Sequence, residues 1–291
     1  MAYPGFETHT APAAARAELW RTALGAVLIL LVYAGLAVGF IAGAGWLLSD
    51  EVTANQIAAG STPLAVVILL AHFAVMVIAV AVVTRLLHRR GALTLMGDRT
   101  HLLRDFLRMA GIAAAMAALA TVFILLTQEI TMEIAPGRWL LFLPLALPLL
   151  LLQTGAEELV FRGYLQQQLG ARFGVGVRAA WMVCPALIFA VLHVDPASQG
   201  QNLWLVVLVI TLFALLTADI TARTGSIGAA WGLHFVNNVQ ALLIFSLEGP
   251  LSGLSLASLG LSAASPAALP LFAADAAVLL IVYGLWRRVH D

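Results

Sequence analysis

Lysine is absent from this chain, charge of either sign is scarce, and cysteine occurs once. Each shortage excludes something. With Cys184 alone no internal disulfide can form, and with 10% charged residues in 291 there is little polar surface for a separate soluble domain. All fifteen basic residues are arginine, they are matched by fifteen acidic ones, and no basic run is long enough to suggest nucleic-acid binding. The arginine and alanine usage suits a GC-rich bacterial genome.

What remains is apolar. Hydrophobic residues make up 62% of the chain, the composition of an all-α, polytopic membrane helix bundle. About 20 apolar residues span a bilayer as a helix, and eight such runs are readable: 23–48, 63–87, 109–127, 139–169, 178–193, 203–221, 226–247 and 267–286. The first is too long for the apolar core of a signal peptide. No long repeat or low-complexity linker interrupts them, so residues 1–291 read as a single integral membrane domain.

Arginine placement checks the count, because positive charge gathers in cytosolic loops. Arg16 and Arg21 precede the first run; Arg85, Arg89, Arg90, Arg99, Arg104 and Arg108 surround the second loop; Arg172 and Arg178 follow the fourth run; Arg223 lies in the sixth loop; Arg287 and Arg288 end the chain. The alternate loops hold only Arg138. The expectation is a multi-pass protein of a bacterial inner membrane with both termini cytosolic. Residues 1–20 read as a short cytosolic tail. The loop 88–108 reads either as an amphipathic surface helix or as an ordinary basic loop, and the loop 248–266 as a cover for the external face.

Against this background a few polar residues stand out. Glu157 and Glu158 follow a run, 139–154, without a single charge. A carboxylate at such a place costs several kcal/mol unless paired, protonated or wet, and marks a functional site by default. On a helix Glu158 and Arg162 share a face, whereas Glu157 is turned about 100° away. Glu158 with Arg162 therefore reads as a structural pair and Glu157 as the free group. His193 closes Phe189-Ala190-Val191-Leu192-His193, and His234 and Asn238 lie four apart on one helix face. At 1.5 Å per residue Glu157 is about 18 Å from the end of its run, His193 about 22 Å beyond Arg178, and His234 and Asn238 about 12 and 18 Å beyond Ser226. These residues share a depth at which they can line one wet cavity. The run 139–169 is then about 46 Å long, so it must tilt, protrude, or kink at Pro144 and Pro148.

Glu157-Glu158-Leu159-Val160-Phe161-Arg162, then Phe189 to His193, then His234 to Asn238, in this order within successive apolar segments, resembles the CAAX protease and bacteriocin-processing family of intramembrane endopeptidases. The resemblance covers the motif-bearing stretch and implies a catalytic core over residues 139–247. It implies hydrolysis of a peptide bond by water held between Glu157, as general base, and His193. It also implies that His234 and Asn238 donate hydrogen bonds to the tetrahedral oxyanion, a contribution of roughly 2.7–4 kcal/mol per donor. Glu158 and Arg162 would support that face. A zinc version would use Glu157, His193 and His234 as three ligands with an open water position. The sequence lacks the H-E-x-x-H that sets two ligands and a base on one helix, so a metal-free, glutamate-driven reaction is the expectation. The partners implied are the lipid bilayer and a membrane-associated, prenylated or leader-peptide substrate.

Blander readings apply elsewhere. His72 reads as an interhelical hydrogen-bonding group, Asn237 as a bridge between helices, and Phe189 and Cys184 as packing. Asp219 and Asp275 sit unexplained within apolar runs, which keeps a proton- or ion-coupled transporter open, and a peptide-binding membrane scaffold is a third class.

Overall fold

A computed structural model describes residues 3–290. It is a polytopic helical bundle, and its elements follow the apolar runs. A short helix α1 (Phe6–Thr10) and a 3-10 turn (Ala11–Arg16) lead into α2 (Leu19–Leu47). α3 (Ala54–Ala59) and α4 (Pro63–Ala71) bring the chain back to α5 (Phe73–His88), and α6 (Leu102–Thr127) follows. α7 (Pro136–Glu158) passes through a π-helical stretch, Leu159–Gln166, into α8 (Gln167–Phe173). A second π-helical stretch, Ala179–Val183, leads into α9 (Cys184–Val191); α10 (Pro196–Gln199), α11 (Leu203–Thr224), α12 (Gly228–Val239) and α13 (Leu269–His290) complete the helices.

Among the described residues six helical segments are long and apolar enough to cross a membrane: Leu19–Leu47, Pro63–His88, Leu102–Thr127, Pro136–Phe173, Pro196–Thr224 and Pro266–His290. The expected fifth and seventh spans are helical but shorter. The fifth reaches only Ala179–Val191. The seventh leaves the helix after Ile244, where the chain turns extended as β2 (Phe245–Glu248). With β1 (Thr131–Met132) and β3 (Ala257–Ser262) it makes a small sheet in the order β1-β3-β2, β3 pairing antiparallel with β1 and parallel with β2. The loop 248–266 is thus partly ordered as strand.

Two regions are more ordered than their sequence suggests. Within the expected tail, Tyr3, Phe6, His9, Thr10 and Ala13 are buried, Tyr3 and Phe6 packing on Trp181 with ring centroids 5.3 and 4.9 Å away. The loop after α5 is neither a surface helix nor a plain loop, because Arg90 and Leu95 are buried and residues 102–108 form the first turns of α6.

Small residues set the closest approach in the bundle. A Cβ on Gly228 would lie 2.3 Å from the Leu102 carbonyl oxygen, and one on Gly232 2.4 Å from that of Phe106. Glycines four apart on α12 let its backbone lie against α6, the small-residue packing of membrane helices. That contact fixes the helix carrying His234.

The fourth segment spans its 38 residues without a break, despite Pro144 and Pro148. It accommodates its length by continuing through the π-helical stretch that begins just after Glu158. Such wide turns are rare and cluster at functional sites.

Candidate active site

Glu157 and Glu158 end α7, at the point where a run of leucines gives way to polar residues. Both are buried, at 8% and 0% exposure. Glu158 Oε1 accepts hydrogen bonds from Arg162 Nη1 at 3.2 Å and from His234 Nδ1 at 2.8 Å. Arg162 in turn donates to the Thr217 hydroxyl and, at 3.5 Å, to the Ala214 carbonyl of α11. Its guanidinium lies 5.2 Å from the Phe189 ring centroid and 5.8 Å from that of Phe213. The expected structural pair is present, and it does more than neutralise itself: through Glu158 it holds the imidazole of His234.

That bond decides a tautomer. A carboxylate only accepts, so Nδ1 of His234 carries its proton and Nε2 is the nitrogen left to face Glu157, whose Oε2 is 3.5 Å away. The buried set thus brings two carboxylates together with one guanidinium and one imidazole.

Glu157 Oε1 is held from its own helix. Gln153, one turn earlier, donates to it through Nε2 at 2.8 Å and accepts from Asn238 Nδ2 at 2.9 Å through its own Oε1. Gln153 thus ties the base candidate on α7 to Asn238 on α12. Across the cavity His193, at the end of the short α9, has Nδ1 2.7 Å from the Phe189 carbonyl oxygen. A carbonyl accepts only, so Nδ1 carries the proton and Nε2 is free to accept one.

These side chains line one cavity of about 390 Å³, whose wall includes Gln153, Glu157, His193, His234, Asn238 and Asp275. A second cavity of about 470 Å³, lined mainly by aliphatic and aromatic side chains of α2, α5, the π-helical stretch Leu159–Gln166 and α9, adjoins it and shares Glu157, His193 and Phe73. Of the residues singled out from the sequence, Glu157, His193, His234 and Asn238 meet in the first cavity, and Glu158 and Arg162 lie behind it. Asn237 also lines this cavity. Phe189 does more than pack, since its carbonyl orients His193.

The zinc alternative asks for Glu157, His193 and His234 to converge. Among the described residues no three His, Cys, Asp or Glu side chains form a group that could hold a metal ion. His234 Nδ1 is bonded to Glu158, and its Nε2 faces the Glu157 carboxylate.

Asp219 proves structural. Its carboxylate accepts from the Tyr3 and Tyr283 hydroxyls at 2.9 and 2.7 Å and from Arg223 Nε at 2.6 Å, joining the N-terminal segment, α11 and α13. Asp275 lies on the cavity wall. Gln153, Thr217 and Tyr33 were missed in the sequence. Gln153 alone carried a signal, four residues before Glu157 in an otherwise apolar run.

Comparison with known proteins bears on the same stretch. Residues 138–240 match the family described as type II CAAX prenyl endopeptidase Rce1-like. The chain is 31% identical over 122 residues to the uncharacterized protein YyaK of Bacillus subtilis (strain 168), a match over 42% of this chain and 40% of that relative. No solved structure matches.

Proposed function

We propose, from the Rce1-like match over residues 138–240 and the geometry within it, that the protein is an intramembrane endopeptidase cleaving a membrane-associated peptide. The observation that carries this reading is one cavity containing a buried glutamate, a histidine with a free acceptor nitrogen, and a second histidine with an amide beside it.

Hydrolysis needs a base for water, a site for the oxyanion and a proton for the departing amine. A water between Glu157 and His193 gives one proton to the carboxylate and hydrogen-bonds to Nε2 of the imidazole with the other. As the water oxygen bonds to the carbonyl carbon, the carbonyl oxygen becomes negative. His234, donating from Nε2, and Asn238, donating from Nδ2, then stabilise it. The C–N bond breaks as Glu157 passes its proton to the nitrogen. The amide of Gln153 keeps Glu157 oriented throughout. Glu158 and Arg162 do no chemistry; they fix the tautomer and charge of His234.

The catalytic core in this reading is 139–247 within a single membrane domain, with both termini on the cytosolic side of a bacterial inner membrane. The substrate is a prenylated or leader-type peptide, approached from the side bearing most arginines. No step requires a metal.

The test is cleavage of a quenched fluorescent C-a-a-X-type lipopeptide by detergent-purified protein, comparing wild type with Glu157→Gln and His193→Ala, each with and without a zinc chelator. Loss of at least about 100-fold in both variants, with chelator-resistant wild-type activity, is the expected result. Chelator-sensitive cleavage would move Glu157, His193 and His234 into a zinc site. Unchanged cleavage by Glu157→Gln would overturn the mechanism.

A further inference from the structure

The second membrane segment, Pro63–His88, is interrupted at one residue in the middle of its apolar run, His72, between α4 and α5. The cause is local. His72 Nδ1 hydrogen-bonds to the Leu69 carbonyl, the acceptor that the amide of Phe73 would use in an unbroken helix. The ring is 6% exposed and lines the cavity of Glu157, His193 and His234. Its other nitrogen, Nε2, is 2.7 Å from the hydroxyl of Tyr33 on α2, and Tyr33 lines the adjoining cavity that also contains Glu157 and His193. A polar pair from two otherwise apolar helices therefore stands at the boundary of the two spaces that share the base candidate.

Hydrogen-bond bookkeeping assigns the direction. The Leu69 carbonyl can only accept, so Nδ1 of the neutral ring carries the proton and Nε2 accepts from the Tyr33 O–H. The phenol has spent its one donor. Towards the cavity its oxygen can act only as an acceptor.

We propose that Tyr33 contacts the substrate, its oxygen receiving the N–H of the scissile amide, and that His72 is the positioning residue that fixes it as an acceptor; this rests on the peptide-hydrolysis reading above. Among the four residues assigned to the chemistry no acceptor is left over for that N–H. Glu157 and His193 are engaged by the two protons of the water, and His234 and Asn238 donate to the oxyanion. Holding the N–H at Tyr33 turns the nitrogen lone pair away from the phenol as the nitrogen becomes tetrahedral. The proton that Glu157 took from water then moves to that lone pair as the C–N bond breaks. Tyr33 neither gains nor loses a proton.

The test exploits the missing N–H of an ester. The lipopeptide and its depsipeptide analogue, with the scissile NH replaced by oxygen, are compared with wild type, Tyr33→Phe, His72→Phe, the double variant and Glu157→Gln. In Tyr33→Phe, kcat/KM for the amide falls about tenfold, the worth of one hydrogen bond, while that for the ester changes less than about twofold. His72→Phe shows the same amide-selective loss, and the double variant loses no more than Tyr33→Phe. Tyr33→Phe keeps the ring, and its thermal unfolding in detergent checks that the fold survives. Equal losses on amide and ester, or no loss on the amide, overturn the role of Tyr33 while leaving the protease reading intact. A wild type that cleaves neither substrate faster than Glu157→Gln overturns the protease reading and the proposal with it.

Discussion

Replacing Glu158 by glutamine removes a charge and almost nothing else. The amide oxygen can stay where Oε1 is and still accept from Arg162 and His234, so the change isolates electrostatics from shape. In the folded protein Arg162 is 2% exposed, and among the described residues Glu158 is the only carboxylate within ion-pairing distance of it. Breaking one partner out of a buried pair costs about 3–5 kcal/mol, because the other charge is left uncompensated. Arg162 keeps the Thr217 hydroxyl, the Ala214 carbonyl and the faces of Phe189 and Phe213, which places the expected loss at the lower end, about 3 kcal/mol. Reversible unfolding by SDS in mixed micelles, followed by tryptophan fluorescence, reads this directly. The double variant Glu158→Gln/Arg162→Met should recover to within about 1 kcal/mol of wild type, because no isolated charge remains. Catalysis should not recover, since His234 has lost the carboxylate that holds its proton. A single variant within 1 kcal/mol of wild type, or a double variant less stable than the single one, would refute the account of a charge-compensated buried set.

Gln153→Leu should cost about 1–2 kcal/mol in stability and lower kcat about tenfold or more, because both Glu157 and Asn238 lose a partner; unaltered kinetics would remove Gln153 from the site. Gly232→Leu should abolish activity and destabilise the bundle severely, since a Cβ there already meets backbone at 2.4 Å; thermal unfolding and cleavage assays together check it. His9, fully buried in α1, has its pKa lowered to about 4 chiefly by burial. The unfolded chain, with an ordinary value near 6.5, binds that proton more readily, so the contribution of His9 is complete above about pH 6.5 and lost as pH falls to about 4. Over that window the protein should lose about 3 kcal/mol that a His9→Phe variant retains, read by chemical unfolding at both pH values.

The helical membrane class was legible because apolar runs of sufficient length leave few other structures open, and arginine spacing supported their number. The motif residues that meet in the cavity were legible too, because helical periodicity puts Glu158 with Arg162 and His234 with Asn238 on shared faces. What escaped detection depended on contacts between helices. The sequence offers Gln153 as one more polar residue, but its value comes from reaching both Glu157 and Asn238. His72 was legible as an interhelical hydrogen-bonding group, and it is one, but its partner Tyr33, 39 positions earlier on a different helix, was not. Asp219 stayed unexplained for the same reason, its partners Tyr3 and Tyr283 lying on opposite sides of it in sequence. The fifth and seventh runs were counted as spans because composition continues past the point where the backbone stops being helical.

The buried N-terminal segment imposes an order on assembly. Gly5 donates its amide to the Arg223 carbonyl, Tyr3 reaches Asp219, and the His9 ring bonds to the carbonyl of Arg162 itself. The contacts to Asp219 and Arg223 cannot form until α11 has been synthesised, more than 200 positions after Tyr3. Until then Tyr3 and Gly5 lack their partners Asp219 and Arg223, and the segment has only Trp181 and the Arg162 carbonyl to meet. A chain that stops short of α11 would therefore leave the N-terminal segment only partly docked, a mark of incompleteness that disappears once α11 is in place.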